Sequence, residues 1–316
     1  MDTSLNLLHA ELDERLFLQL MPEWKGASIE IADLKGGITN RLYRVRSEKG
    51  DLALRIYGDK TELFINRDHE AEAIRKMADA RISPRLVRYL PEKRVTIVEY
   101  ITGSYTLKNE DFLEESLRGT IVDAIRKIHE SGVVLPGVFN PLAEVKRLAG
   151  ILEGLGASYP EFDIAGTVAR LETLAGVIDI PESRYTPGHN DLLAENFILV
   201  REGYGDRYPV PLYIIDWEYA GMAPREYDLA DMFQEILVPR DVEQSFVEHY
   251  CQGKDVDGTL RLVDLFKPFP DIYWFLWSLI QKNVSTIDFD FYNYGRVKYE
   301  NARGNIRFAR DAYGVG

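Results

Sequence analysis

The chain has 316 residues, with 38 Lys plus Arg against 51 Asp plus Glu, a formal net charge of −13, one Cys and 46% hydrophobic residues. That length suits about two domains with a large core, and the acidic balance disfavours nucleic acid or an anionic membrane, both of which need Lys and Arg to meet phosphate. A lone Cys251 excludes an intramolecular disulfide and a thiolate metal cluster and fits a reducing compartment.

The opening stretch MDTSLNLLHAELDERL carries neither a basic segment nor a long apolar one, so no targeting peptide is read and a cytoplasmic location is expected. Apolar positions at helical spacing over 4–20 predict a helix, ended by Pro22 and Gly26. The period then changes. Ile29–Leu34, Leu42–Arg46 and Leu52–Tyr57 read as three antiparallel strands split by Lys35-Gly36-Gly37 and Glu48-Lys49-Gly50-Asp51, both turn-forming. A helix over 66–80 follows, with Asn66 as its cap, and then strands at 85–90 and 94–100.

Helical period returns over 110–130, 141–155 and 164–178. Phe197–Val200 and Leu212–Ile215 flank a Gly/Asp/Pro-rich stretch and predict a hairpin, and beyond Pro224 the pattern is helical almost to the end. The apolar run Ile272–Ile280 is too short to span a bilayer, which needs about 20 residues. Without an HExxH pair there is no zinc site to read from the five His.

The chemistry concentrates in His189-Asn190-Asp191-Leu192-Leu193-Ala194-Glu195-Asn196 followed by Ile214-Ile215-Asp216. An Asp, an Asn five residues on, a hairpin and a second Asp after an apolar strand is the order in which kinase-type phosphotransferases set a base and two magnesium ligands. Magnesium wants hard oxygen donors, and a separate carboxylate must face the attacking hydroxyl. Taken alone, the octapeptide reads as an ordinary loop, Lys35–Asn40 as a hairpin turn, and Arg55 with Glu70 as a structural ion pair. Their order along the chain favours an ATP-dependent phosphotransferase. Arg55 inside the apolar run Leu52–Tyr57 also needs an anionic partner if buried. Ala223-Pro224-Arg225-Glu226 begins only seven residues after Asp216, which leaves no room for a peptide-docking segment, so a small-molecule acceptor is expected.

The stretches Gly36-Gly37-Ile38-Thr39-Asn40, Leu54-Arg55-Ile56-Tyr57-Gly58, Ile65–Glu70, His189-Asn190-Asp191-Leu192, Ile215-Asp216-Trp217-Glu218-Tyr219 and Trp274–Phe291 resemble the choline/ethanolamine kinase family, a branch of the aminoglycoside-phosphotransferase-like kinases. The resemblance implies an α+β, bilobal protein-kinase-like fold. Residues 1–24 would form an N-terminal helix, 25–103 a β-rich nucleotide-binding lobe and 104–316 a helical catalytic and acceptor-binding lobe. It further implies Asp191 as base, with Asn196 and Asp216 on Mg²⁺ and Glu218 assisting through the metal's water shell. Arg55, held by Glu70, would meet the ATP phosphates beneath backbone from Gly36, Gly37, Thr39 and Asn40, with adenine against Glu99 to Ile101.

At the acceptor end, Trp274 and Trp277, three apart on a helix, project to one face, and aromatic walls attract an ammonium. Core packing is the alternative for that pair. The resemblance adds Tyr294 as a third wall and Glu235 as the acid facing the amino head group. The expected reaction is phosphorylation of choline or ethanolamine by ATP, with a homodimer left open. The rivals are a kinase for an aminoglycoside, a sugar or homoserine, and a non-catalytic nucleotide- or choline-binding protein.

Overall fold

Alternating apolar and polar residues give a strand one dry face, and five such strands build one antiparallel sheet in the computed structural model, which describes residues 11–34, 40–203, 205 and 208–315. They are β1 (Glu30–Leu34), β2 (Arg41–Ser47), β3 (Gly50–Ile56), β4 (Leu86–Leu90) and β5 (Val95–Glu99), in the order β1-β2-β3-β5-β4. Five short strands follow, β6 (Ser104–Thr106), β7 (Thr186–Gly188), β8 (Phe197–Val200), β9 (Leu212–Ile214) and β10 (Gly221–Ala223). The chain forms two compact units, one of residues up to 106 together with 197–218, the other of 107–196 together with 219–316.

In the first unit, α1 (Glu14–Leu20) starts at Asp13, whose side chain caps the amide of Leu16. Its Phe17 meets Trp24 edge to face at 5.3 Å and joins Val45, Leu54, Val95 and Ile97 in the core. The predicted helix began at residue 4, but residues 1–10 lie outside those described. Helix α2 (Arg67–Asp79) is capped by Asn66, which accepts from the amides of Asp68 and His69, and it buries Ala71, Ile74 and Met77. Arg55 sits mid-sheet, opposite Leu42 on β2 and Thr96 on β5. The hairpin β8–β9 belongs here rather than with the helical remainder, because β8 pairs with β6.

The second unit contains α3 (Glu115–His129), α4 (Pro141–Gly154), α5 (Ile164–Ile178), α6 (Arg225–Ile236), α7 (Arg240–Cys251), α8 (Val256–Phe266), α9 (Pro268–Val284) and α10 (Phe291–Tyr313). The helix expected over 110–130 is broken: a short 3₁₀ turn covers Asn109–Leu113, and Glu114 is extended before α3 begins. Helix α9 is buried all round from Pro268 to Gln281, as a largely apolar sequence favours, and it takes Asp271, Ser278 and Gln281 into the interior with it. No helix among the described residues is long and apolar enough to cross a membrane.

Gly295 explains how α10 lies so close to α9. A Cβ there would stand 2.0 Å from Ser278 Oγ, itself fixed by a hydrogen bond to the Phe275 carbonyl. Gly295→Ala should therefore lower stability by about 1–3 kcal/mol through overpacking. Adding Ser278→Ala should recover most of it. Urea unfolding of the two variants checks this, and an unchanged midpoint in the single variant would mean the helices part at little cost.

Candidate active site

Strand β7 ends at Gly188, and the loop that follows carries His189, Asn190 and Asp191. Two carboxylates of α6 hold this loop by its backbone. Asp228, fully buried, accepts from the amide of His189 at 2.8 Å, the amide of Asn190 at 2.6 Å and the ring of His129 at 2.9 Å. Burial alone would raise its carboxyl, yet the hydrogen bonds and charge from His129 and the His189 amide hold it below the ordinary range. Asp231, three residues on and also buried, accepts from the amide of Leu192 at 2.7 Å.

The backbone between these anchors is unusual. Asn190 has φ +67°, a left-handed conformation that Asn tolerates better than most residues, and its side chain donates to the Tyr219 carbonyl at 2.9 Å. Asn196 donates from its amide nitrogen to the Asp191 carbonyl at 2.8 Å, and its carbonyl oxygen is an acceptor of the kind that can ligate a cation. Asp191 is buried, with 6% exposure. A carboxylate fixed in this way can receive a proton without searching for its position.

The same unit contains the aromatic residues picked out for an ammonium. Trp274 meets Trp277 edge to face at 5.7 Å, and Trp277 meets Tyr294 at 6.3 Å. Trp274 Nε1 donates to Asp231 at 3.3 Å, so one carboxylate touches both the Asp191 loop and this wall. Burial and the nearby Glu235 push the Asp231 carboxyl well above its usual value. Glu235 is not an uncommitted acid: buried Lys298 reaches it at 2.5 Å and also donates to the Gln234 carbonyl. Burial would lower the Lys298 ammonium, but Glu235 and Asp271 raise it above normal, so it is charged.

In the first unit, Asp216 has φ +67° just after β9. Arg55 bonds it at 2.5 Å, forms an ion pair with Glu70 and lies 3.6 Å from Glu218. Burial would strip Arg55 of charge, and Asp216 and Glu218 prevent it. Burial and Asp216 push Glu218 above the usual carboxylate value despite Arg67 at 3.0 Å. Carboxylate oxygens of Glu70, Asp216 and Glu218 lie within 4.8 Å of one another. Hard oxygen donors in such a cluster fit Mg²⁺, and Arg55 and Arg67 offset part of its charge.

Of the expected nucleotide contacts, Gly36, Gly37 and Thr39 lie outside the described residues. Asn40 accepts from the Gly58 amide at 3.2 Å. Glu99 ends β5 half-buried with Arg85 at 3.8 Å, and buried Ile101 accepts from the Ser104 hydroxyl through its carbonyl. The predicted residues thus fall into two sets. Asp191, Asn196, Glu235, Trp274, Trp277 and Tyr294 belong to one unit, and Asn40, Arg55, Glu70, Glu99, Ile101, Asp216 and Glu218 to the other.

The choline/ethanolamine kinase family model matches residues 31–303. The chain belongs to the choline/ethanolamine kinase family. Ethanolamine kinase 2 of Homo sapiens is 27% identical, the match covering 90% of this chain and 78% of the human one. A crystal structure of a choline/ethanolamine kinase family protein from Mesorhizobium loti is 28% identical, with TM-score 0.76 over 92% of this chain and 93% of that one. Choline kinase LicA from Streptococcus pneumoniae, 23% identical with TM-score 0.78 over 93% and 99% of the two chains, shares the fold. This kinase therefore has the α+β, protein-kinase-like architecture of its relatives.

Four residues around these side chains of the choline/ethanolamine kinase were missed from sequence: Asp228, Asp231, Arg67 and Lys298. For the first two there was a clue, since Tyr227-Asp228-Leu229-Ala230-Asp231-Met232-Phe233 sets two acids on one face of an otherwise apolar helix. Buried acids there must have donors. Asp228→Asn would turn an amide NH₂ toward donors and should destabilise the fold by about 3–5 kcal/mol. The pH dependence also follows. The folded-state carboxyl is depressed, so its contribution is complete above the unfolded value near 4 and is lost as pH falls through the folded value. Acid-unfolding curves of wild type and variant should converge at low pH. Parallel curves would show that Asp228 does not carry this charge.

Proposed function

We propose that this kinase transfers the γ-phosphoryl group of ATP to the hydroxyl of choline or ethanolamine. The observation that carries the reading is Asp231, which binds both the amide of Leu192, next to Asp191, and the indole of Trp274 in the aromatic wall. An ammonium seated against Trp274, Trp277 and Tyr294 would be held by the ring faces, a gain of about 0.5–2 kcal/mol per aromatic contact depending on desolvation. Family membership supports the same reaction class.

The roles follow from the chemistry of each group. The acceptor oxygen attacks the γ-phosphorus, its bond to the ADP oxygen breaks, and Asp191 takes the hydroxyl proton. Arg55, oriented by Glu70, supplies fixed positive charge for the phosphates. Magnesium, arriving with ATP, would be held by Asn196 and Asp216 with Glu218 assisting, and supplies charge neutralisation on the transferred group. Asp228 acts as a positioning residue by holding the backbone on which Asp191 rides.

Asp191→Ala should lower kcat at least about 100-fold while ATP binding is retained. Unchanged turnover would remove Asp191 as the base. Trp274→Ala should raise KM for the amino alcohol more than KM for ATP, and equal effects would return the indole to core packing. An acceptor panel with ATP, followed by phosphorus NMR, tests the reaction itself. Phosphorylation of choline or ethanolamine is expected, and turnover of a sugar or aminoglycoside alone would overturn it. The ratio of kcat/KM for choline and ethanolamine then fixes the preferred head group.

A further inference from the structure

Lys298 stands four residues after Tyr294 on α10, so the two share a helix face. Its Nζ donates to Glu235 Oε1 at 2.5 Å and to the Gln234 carbonyl at 3.3 Å, and it lies 5.8 Å from the centre of the Tyr294 ring. A buried side-chain ammonium, on a residue only 6% exposed, thus already engages the carboxylate and the ring expected to receive the acceptor's amino group. Asn305 braces this arrangement by donating to Gln234 Oε1 at 2.6 Å and to Asp271 Oδ2 at 3.0 Å. The Tyr294 hydroxyl is pushed well above its ordinary value by burial and then by Glu235, Asp191 and Asp231, so Glu235 and the aromatic wall are close neighbours.

Primary and quaternary ammonium groups ask different things of such surroundings. A primary ammonium is strongly hydrated and carries three N–H donors that need acceptors once water is removed. A quaternary one has no donor, and ring faces suit it. Asp231 already accepts on both oxygens, from the Leu192 amide and the Trp274 indole, and Glu235 Oε1 is taken by Lys298. To use the other oxygen of Glu235, a primary ammonium must come within hydrogen-bond distance of it, where it meets the charge of Lys298 at close range. An ammonium covered by methyl groups need not approach so near. We propose that Lys298 is a specificity-determining residue: as a resident ammonium on Glu235, it biases the acceptor site toward a quaternary over a primary ammonium.

The preference rests on the amino-alcohol phosphotransfer proposed above. To test it, kcat/KM is measured on the intact protein at saturating ATP and Mg²⁺ with ethanolamine, its N-methyl and N,N-dimethyl derivatives, and choline. It should rise with each methyl group, reaching at least about tenfold for choline over ethanolamine. Lys298→Met should shrink the choline-to-ethanolamine ratio at least about tenfold, mainly through a lower KM for ethanolamine, with KM for ATP little changed. Lys298→Arg keeps the ion pair and should retain the ratio.

The ratio of two kcat/KM values is independent of how much of a variant folds, so a destabilised Lys298→Met still reports, and the methyl series needs no variant. A wild-type preference for ethanolamine would overturn the proposal alone. So would a ratio that Lys298→Met leaves unchanged, or one that Lys298→Arg loses as fully as Lys298→Met. Turnover of neither amino alcohol would overturn the reaction together with it.

Discussion

Asp228 takes three donors at once, from two consecutive loop amides and from His129 on another helix. A carboxylate has two oxygens and about four acceptor positions, so three bonds come close to fixing it in place. The strands β7 and β10 and the loop after Gly188 depend on this arrangement, because a left-handed Asn190 persists only when its surroundings hold it there. Removing the charge would free the backbone that presents Asp191. The cost of burying Asp228 is met by these same donors, so loop geometry and charge compensation are one interaction.

The first unit solves a similar problem with several charges. Arg55 enters the middle of an apolar sheet, and Glu70, Asp216 and Glu218 gather round it from α2 and from the segment after β9. Arg67 shares two of those carboxylates. With three acids and two arginines the cluster retains one negative charge, which suits a group of hard oxygens facing a divalent cation. The second unit instead neutralises Glu235 internally through Lys298, so in the proposed reaction the aromatic rings would carry most of the attraction for an ammonium.

Much of this was legible in local sequence. The alternation at 30–34, 41–47 and 50–56, the cap at Asn66 and the period of α5 depend on near neighbours, and each is where the pattern predicts. Strands β6, β7 and β10 are three residues long and exist because Ser104 pairs with Val200 and Thr186 with Ala223, partners too distant for periodicity to show. The spacing of Trp274 and Trp277 announced a shared face, but not that Asp231 would bind the indole from 43 residues away. The Lys298–Glu235 pair, 63 residues apart, was hidden in the same way. The motif around Asp191 was legible as chemistry, whereas the acids that support it were not.

The return of residues 197–218 to the sheet-bearing unit has a practical meaning for anyone dissecting the molecule. Three peptide connections, at 106–107, 196–197 and 218–219, join the units. No single cut can therefore yield two complete folding pieces. A fragment ending near Gly103 would lack the β8–β9 hairpin, Asp216 and Glu218, and would leave Arg55 buried against two carboxylates fewer. Its complement would carry β6, β8 and β9 cut off from the rest of their unit. Separate halves should be expected to aggregate rather than fold as domains, unless the first piece runs to residue 106 and has 197–218 joined to it.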